Sequence, residues 1–195
     1  MKLSDLKYLL AYIIPASGFA AIYWQGWWSF STIIIAFILL PAIEQLVPTS
    51  SANFDEVTAK AKSKQWIFDV LLFLNIPIII CLATYLFYTV QHNSISTIDT
   101  IGLYLSIGIV LGACGINVAH ELGHKSPKIH KIAAQILLMP CLYMHFYIEH
   151  NRGHHLHVAT PEDAATSRKG ENLYFFWIRS ASMSYVSAWA LSKET

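Results

Sequence analysis

The side chains with most chemistry to offer in this sequence are its histidines, and all nine except His92 fall between residues 120 and 157. The first group is Asn117-Val118-Ala119-His120-Glu121-Leu122-Gly123-His124-Lys125. On a helix, His120 and His124 are four residues apart and project from one face a turn apart, which suits two imidazoles converging on one metal ion. The second group is Glu149-His150-Asn151-Arg152-Gly153-His154-His155. His150 and His154 repeat that spacing, and His155 turns toward a neighbouring direction. Three imidazoles so close together, beside a glycine that leaves room for close approach, have few uses other than binding metal.

Acidic residues flank both groups. Glu121 and Glu149 are read as acceptors that hold an imidazole in one tautomer behind the metal, since the histidines already suffice in type for its immediate ligands. His145 is expected to line the pocket or to hydrogen-bond a carboxylate. His157 is expected to support the site from behind or to face solvent, His130 to be solvated, and His92 to lie in an outer loop. The stretch from Val158 to Asp163, with Arg168, Glu171 and Arg179, alternates opposite charges and is expected to form an ion-pair network rather than a docking surface.

What positions these residues is apolar. Charged residues make up 13% of the 195-residue chain and hydrophobic ones 55%, against about a quarter charged in an ordinary soluble domain. Residues 8–43 hold no Asp, Glu, Lys or Arg, and residues 65–124 hold no Lys or Arg. Crossing the hydrocarbon takes roughly 20 apolar residues. The expected fold is therefore an all-α membrane protein with four transmembrane helices near 8–24, 28–47, 66–90 and 101–119. A bundle over 1–119 is followed by a histidine-rich helical region over 120–195 at the cytoplasmic surface. Gln25-Gly26, among Trp24, Trp27 and Trp28, reads as a tight hairpin at the headgroup level. The first apolar run lacks a cleavage site and leads into a second, so it is expected to remain as a helix.

Lys2 and Lys7, then Lys60, Lys62 and Lys64 in the loop 48–65 beside Pro48 and a Thr-Ser-Ser run, and later Lys125, Lys128, Lys131 and Arg152, put the basic residues on one side. Loop 91–100 has none. By the positive-inside rule, that side is the cytoplasm of a multi-pass inner-membrane protein. Glu44 and Asp69 lie near span ends and read as interfacial. Residues 132–148 are apolar but interrupted by Pro140 and His145, and read as an interfacial or re-entrant helix. Were they to cross, the two histidine groups would face opposite compartments. A net charge of +1 offers no field for nucleic acid, and Cys81 and Cys114 inside apolar runs suggest no disulfide framework.

From residues alone the metal stays open, because imidazole suits iron, zinc, copper and nickel. His120-Glu121-x-x-His124 also fits an intramembrane zinc protease with Glu121 as general base. Such a site needs one zinc, a third ligand and an open position, and leaves the excess of histidines unexplained. A metal-binding membrane protein without enzymatic activity is a third class.

Four stretches carry a family resemblance: HELGHK at 120–125, HFYIEHNRGHH at 145–155, VATPED at 158–163 and GENLYFFWIRS at 170–180. Together they resemble the integral-membrane non-haem diiron alkane 1-monooxygenases over roughly the second half of the chain. The resemblance implies His120, His124, His150, His154 and His155 as ligands of two non-haem iron ions at the cytoplasmic face. It also implies O2-dependent hydroxylation of a terminal methyl to a primary alcohol, with electrons from a rubredoxin and a hydrocarbon substrate drawn from membrane lipid. Such chemistry needs a redox metal, because an unactivated C–H bond offers nothing to protonate. Related diiron hydroxylases and desaturases of fatty acyl or aromatic substrates share the two-box logic. Where the family often reads P-A-S after VATPED, this sequence has Ala164-Ala165-Thr166. The family also carries a later N-Y-x-E-H-Y-G stretch, a third histidine box and two further spans. The sequence therefore reads as the N-terminal part of such an enzyme, inactive by itself, since five imidazoles do not fill two iron shells.

Overall fold

A long uncharged run inside a bilayer must satisfy its own backbone, and helix does so within one segment. In the computed structural model, which describes residues 3–47, 55–63 and 65–193, the regular structure is helical. The elements are α1 (Asp5–Trp24), α2 (Gly26–Leu46), α3 (Glu56–Ser63), α4 (Trp66–His92), α5 (Thr97–Gly123), α6 (Lys128–Leu138), α7 (145–157) and α8 (Leu173–Lys193). Four of them, α1, α2, α4 and α5, are long and apolar enough to cross a membrane. These are the four spans expected from sequence, with edges moved by a few residues. Lys2, Pro48, residues 49–54 and Lys64 lie outside the described residues. The rest of the supposed basic loop, Glu56–Ser63, is helical.

The chain divides into two compact units, Met1–Val118 and Ala119–Thr195. In the first, α1 packs against α2, α4 and α5 around Ala21, Ile22, Ile79, Leu82, Leu103, Ile107 and Val110, all almost fully buried. Hydrocarbon gives helices no hydrophobic reason to associate, so small polar side chains tie them instead. Ser17 and Thr32 share a hydrogen bond of 2.9 Å, Ser31 donates to the Ser17 carbonyl at 2.8 Å, and Ser106 donates to the Ser29 carbonyl at 2.7 Å. The Ser29 hydroxyl in turn donates to Asp99 at 2.9 Å. Large apolar side chains such as Phe37, Ile38, Phe87 and Tyr104 are left exposed, as lipid-facing residues would be. The turn between α1 and α2 runs through positive φ at Gln25 (51°) and Gly26 (55°), a hairpin conformation that glycine adopts without strain. Near its end α5 contains a π turn at Leu111–Ile116, which inserts an extra residue into the helical repeat.

In the second unit, α6 buries the stripe His130, Ala133, Ala134, Leu137 and Leu138, which is the i, i+3, i+4, i+7, i+8 pattern of an amphipathic helix. His130 belongs to that stripe and is 9% exposed, so the expectation of a solvated side chain is corrected. Its basic neighbours suggest solvent, but helical phase decides. Residues 132–148 are likewise not one helix. The chain turns at 139–144, with Leu142 at φ 52°, and α7 begins afresh at His145. Met139 caps α6, and Pro140 follows directly, as expected of a residue that cannot continue a helix. α7 packs along α8.

The segment between α7 and α8 has little regular structure and is fastened by Arg179 of α8. Its guanidinium donates to both Glu171 carboxylate oxygens at 2.6 and 2.7 Å, to the Thr166 carbonyl at 2.9 Å and to the Ala164 carbonyl at 3.3 Å. Such a two-pronged pair is the strong geometry for an ion pair. The Arg179 hydrogen bond, ahead of the other contributions, holds the Glu171 carboxyl down at about 2.

Candidate metal centre

The last turn of α5 and the middle of α7 bring imidazoles together. His120, His124 and His150 form a group whose ligating nitrogens all lie within 4.8 Å of one another. Along the cluster, His124 Nε2 is 2.9 Å from His120 Nε2 and 3.1 Å from His150 Nε2, which is itself 3.1 Å from His155 Nε2. His120, His124 and His155 are exposed and His150 is half-buried.

These contacts are not a satisfied hydrogen-bond network. Each Nε2 carries either one proton or one lone pair, so at most two of the three Nε2–Nε2 contacts can be hydrogen bonds at once. Lone pairs of His120, His124 and His150 facing a shared cation would leave none of their contacts unsatisfied. The spacing agrees, since donor nitrogens at right angles about an ion, each about 2.1 Å from it, stand about 3 Å apart. The residues present therefore fit a metal ion. Burial, followed by the neighbouring imidazoles of His120, His155, His124 and His154, pushes the His150 pKa down to about 4. His150 thus keeps a free lone pair at neutral pH.

A π turn in α7 at His150–His154 brings His155 to the cluster. The N–H of His155 bonds to the carbonyl of His150, five residues back. In an α-helix, at about 100° per residue, His155 would point well away from His150. The longer turn returns it to the same side, with His154 still stacked on His150 at 5.2 Å between ring centroids. The Phe146 ring stacks on His150 as well, 4.9 Å between ring centroids and 19° from parallel.

His154 is fixed from behind. Its Nδ1–H donates to Asp163 Oδ2 at 2.9 Å, and the Asp163 side chain is fully buried. Asp163 also accepts from the Thr166 hydroxyl at 2.5 Å and the Ala165 N–H at 2.9 Å. Burial works to raise the Asp163 pKa, but the hydrogen bonds from Thr166, Ala165 and His154 outweigh it and hold the carboxyl below its usual value. An ionised carboxylate only accepts, so the proton of His154 sits on Nδ1 and Nε2 keeps its lone pair. Residues 158–171 are thus more than a network of ion pairs. Sequence reasoning missed Asp163 as a partner of the histidines, although it closes VATPED, one of the stretches that carried the resemblance. The departure at Ala164-Ala165-Thr166 supplies two of the groups that hold Asp163.

Glu149 is buried, and burial, then the nearby Asp163 carboxylate, raises its pKa. Glu121 is exposed. His145 does not join the cluster. Its ring packs edge-on against Tyr143 and Tyr185, and its Nε2 has no hydrogen-bond partner. Burial lowers its pKa. The carbonyl of His157 caps the end of α7 by accepting from Thr160.

Gly153 is where the sequence asked for close approach. A Cβ there would stand 2.7 Å from Glu149 Oε1 of α7 itself and 3.3 Å from Ser187 Oγ of α8, so a methyl fits only if the buried Glu149 side chain gives way. Gly153→Ala is expected to displace Glu149 and lower stability by about 1–3 kcal/mol, the usual cost of overpacking. Thermal unfolding of the purified variant measures this, and an unchanged midpoint would contradict it.

Comparison with known proteins places these features. A fatty acid desaturase family model matches residues 100–195. The chain is 32% identical to alkane 1-monooxygenase 2 of Pseudomonas aeruginosa over 94% of its own length and 51% of that protein's. It is 37% identical to alkane 1-monooxygenase 1 of the same organism over 85% of its length and 44% of the relative's. It is 36% identical to alkane 1-monooxygenase of Pseudomonas putida over 87% and 42%. The chain thus spans about half the length of the relatives it matches. The chain is similar to the alkane 1-monooxygenases over most of its own length, and its residues 100–195 match the fatty acid desaturase family model.

Proposed function

We propose that the protein to which this chain belongs is a membrane-bound diiron monooxygenase that hydroxylates the terminal methyl of alkanes. The observation that carries the reading is the convergence of four Nε2 atoms from two separate helices within links of 2.9–3.1 Å. Similarity to alkane 1-monooxygenases over most of the chain supports it. His120, His124, His150 and His155 would hold metal through Nε2, and His154 through the Nε2 that Asp163 leaves free. Imidazole does not by itself select iron; the similarity to alkane 1-monooxygenases supports it. Two bound iron ions would supply the O2 activation that no side chain provides.

The balance is one alkane, one O2, two electrons and two protons giving one primary alcohol and one water. The electrons are to come one at a time from a rubredoxin at the cytoplasmic face, where the basic residues lie. The chain's own residues bind and orient. Asp163 fixes the His154 tautomer, the π turn aims His155, and Phe146 covers one ring face of His150. Lipid delivers the substrate, because each methylene favours an apolar phase by about 0.8 kcal/mol, or roughly 6 kcal/mol for eight carbons.

Elemental analysis of the whole protein, together with alkane-dependent O2 uptake and detection of 1-alkanol, tests the proposal. Two irons per chain and a stoichiometric alcohol are expected. One tightly held zinc, no iron and no alkane-dependent O2 uptake would overturn it and favour the protease reading of His120-Glu121-x-x-His124.

A further inference from the structure

The second unit holds two adjoining cavities that the metal centre does not use. One, of about 560 Å³, lies among α6, α7 and α8 and is walled by Met139, Leu142, Ile148, Tyr185, Ala188 and Trp189. The other, of about 470 Å³, is polar and is lined by Lys131, Arg152 and Asn151. Gln135, Tyr147, Ile148 and Ser192 border both. The pair therefore forms an apolar groove that opens at one end onto two cations and amide donors. Each cavity lies within the usual size range for a small-ligand site.

The surroundings say which amphiphile meets it. α6 starts five residues after α5, a candidate membrane span, ends at Gly123. Around its buried stripe, α6 exposes Lys128 and Lys131 together with Ile129, Ile132 and Met139. Basic residues among exposed apolar ones mark a helix lying in the membrane interface. Tyr185 and Trp189, half-exposed along the groove, are the residue types enriched at headgroup depth. An alkane has no group for Lys131, Arg152 or Asn151 to recognise. An acidic head on a long acyl chain satisfies both halves, and guanidinium is well suited to a phosphate.

We propose that this groove is a binding site for an anionic phospholipid of the surrounding bilayer. Its acyl chain lies along Met139, Ile148 and Trp189, and its phosphate sits between Lys131 and Arg152. The site is separate from the histidine cluster and needs no metal.

The test uses the full chain in a neutral detergent, titrated with phosphatidylglycerol, phosphatidylcholine or a long-chain fatty carboxylate. Binding is followed by tryptophan fluorescence and thermal unfolding. Phosphatidylglycerol is expected to bind more tightly than phosphatidylcholine, with its affinity falling about fivefold for each cation removed. Lys131→Gln and Arg152→Gln, singly and together, should therefore weaken phosphatidylglycerol binding in steps and narrow its advantage over phosphatidylcholine. If the double variant fails to fold, Lys131→Gln alone and titration in 1 M salt carry the test, since salt screens the exposed charges. Equal affinity for the two phospholipids, or a preference that survives both Lys131→Gln and high salt, would overturn the proposal. Tighter binding of the carboxylate than of phosphatidylglycerol would overturn it too, by assigning the groove to a fatty acid.

Discussion

Replacing His150 with alanine is expected to abolish metal binding. His150 Nε2 joins the two boxes, at 3.1 Å from both His124 and His155. Without it His120 and His124 remain a pair on α5, with the His155 ring 4.9 Å from that of His124 but with no imidazole bridging them. A lost direct ligand costs more than a lost supporting hydrogen bond, which is itself worth about 10- to 100-fold in affinity, so a loss above about hundredfold is expected. The measurement is Fe(II) or Zn(II) titration of the full chain against a chelator of known affinity. The half-buried position of His150 makes the truncation tolerable to the fold. His157→Ala is the matched control, expected to bind metal as the parent does, because only its backbone carbonyl caps α7. Retention of metal by His150→Ala would remove the basis of the proposed function.

Asp163→Asn is expected to weaken metal binding about 10- to 100-fold. The carboxylate uses both oxygens, Oδ1 for the Ala165 N–H and Oδ2 for the Thr166 hydroxyl and His154 Nδ1–H. An asparagine has one oxygen and one NH2. Whichever way it turns, a buried donor faces a donor, and an unmet buried group costs about 1–3 kcal/mol. If the NH2 faces His154, the imidazole is driven toward the tautomer that protonates Nε2 and loses the lone pair. The same chelator competition measures this. Thermal unfolding of the metal-free form separates a general loss of stability from a specific loss of ligation. Unchanged metal affinity in a folded Asp163→Asn protein would show that Asp163 does not position His154.

Loosening the segment that carries Asp163 should act in the same direction. Arg179 binds Glu171 and the carbonyls of Ala164 and Thr166, which flank or follow Asp163. The support for His154 therefore runs back to a residue on α8 that no ligand-spacing rule would single out.

Much of this protein is local and can be read from sequence. The four spans follow from runs without charge, because a bilayer core leaves a backbone no partner but itself. The convergence of His120 and His124 follows from their four-residue spacing on one helix. The need for a glycine at 153 was visible beside the histidines, and the structure shows Glu149 and Ser187 occupying the space. Other features depend on packing. Sequence spacing assumes α-helical phase, and His155 reaches His150 only because α7 takes a π turn whose extra residue its packing must accommodate. His130, among basic neighbours, is buried because the phase of α6 puts it in line with Ala133, Ala134 and Leu137. The surroundings of His145, five residues before His150, are likewise set by packing, on Tyr143 and Tyr185. Asp163 lies nine residues from His154 across an irregular segment, a distance at which no periodicity links two residues. Composition and short spacing thus determine the spans and the pairs within each helix. The closing of the chain in space decides which imidazoles share a centre and what stands behind them, because those contacts join residues that no single helical turn brings together.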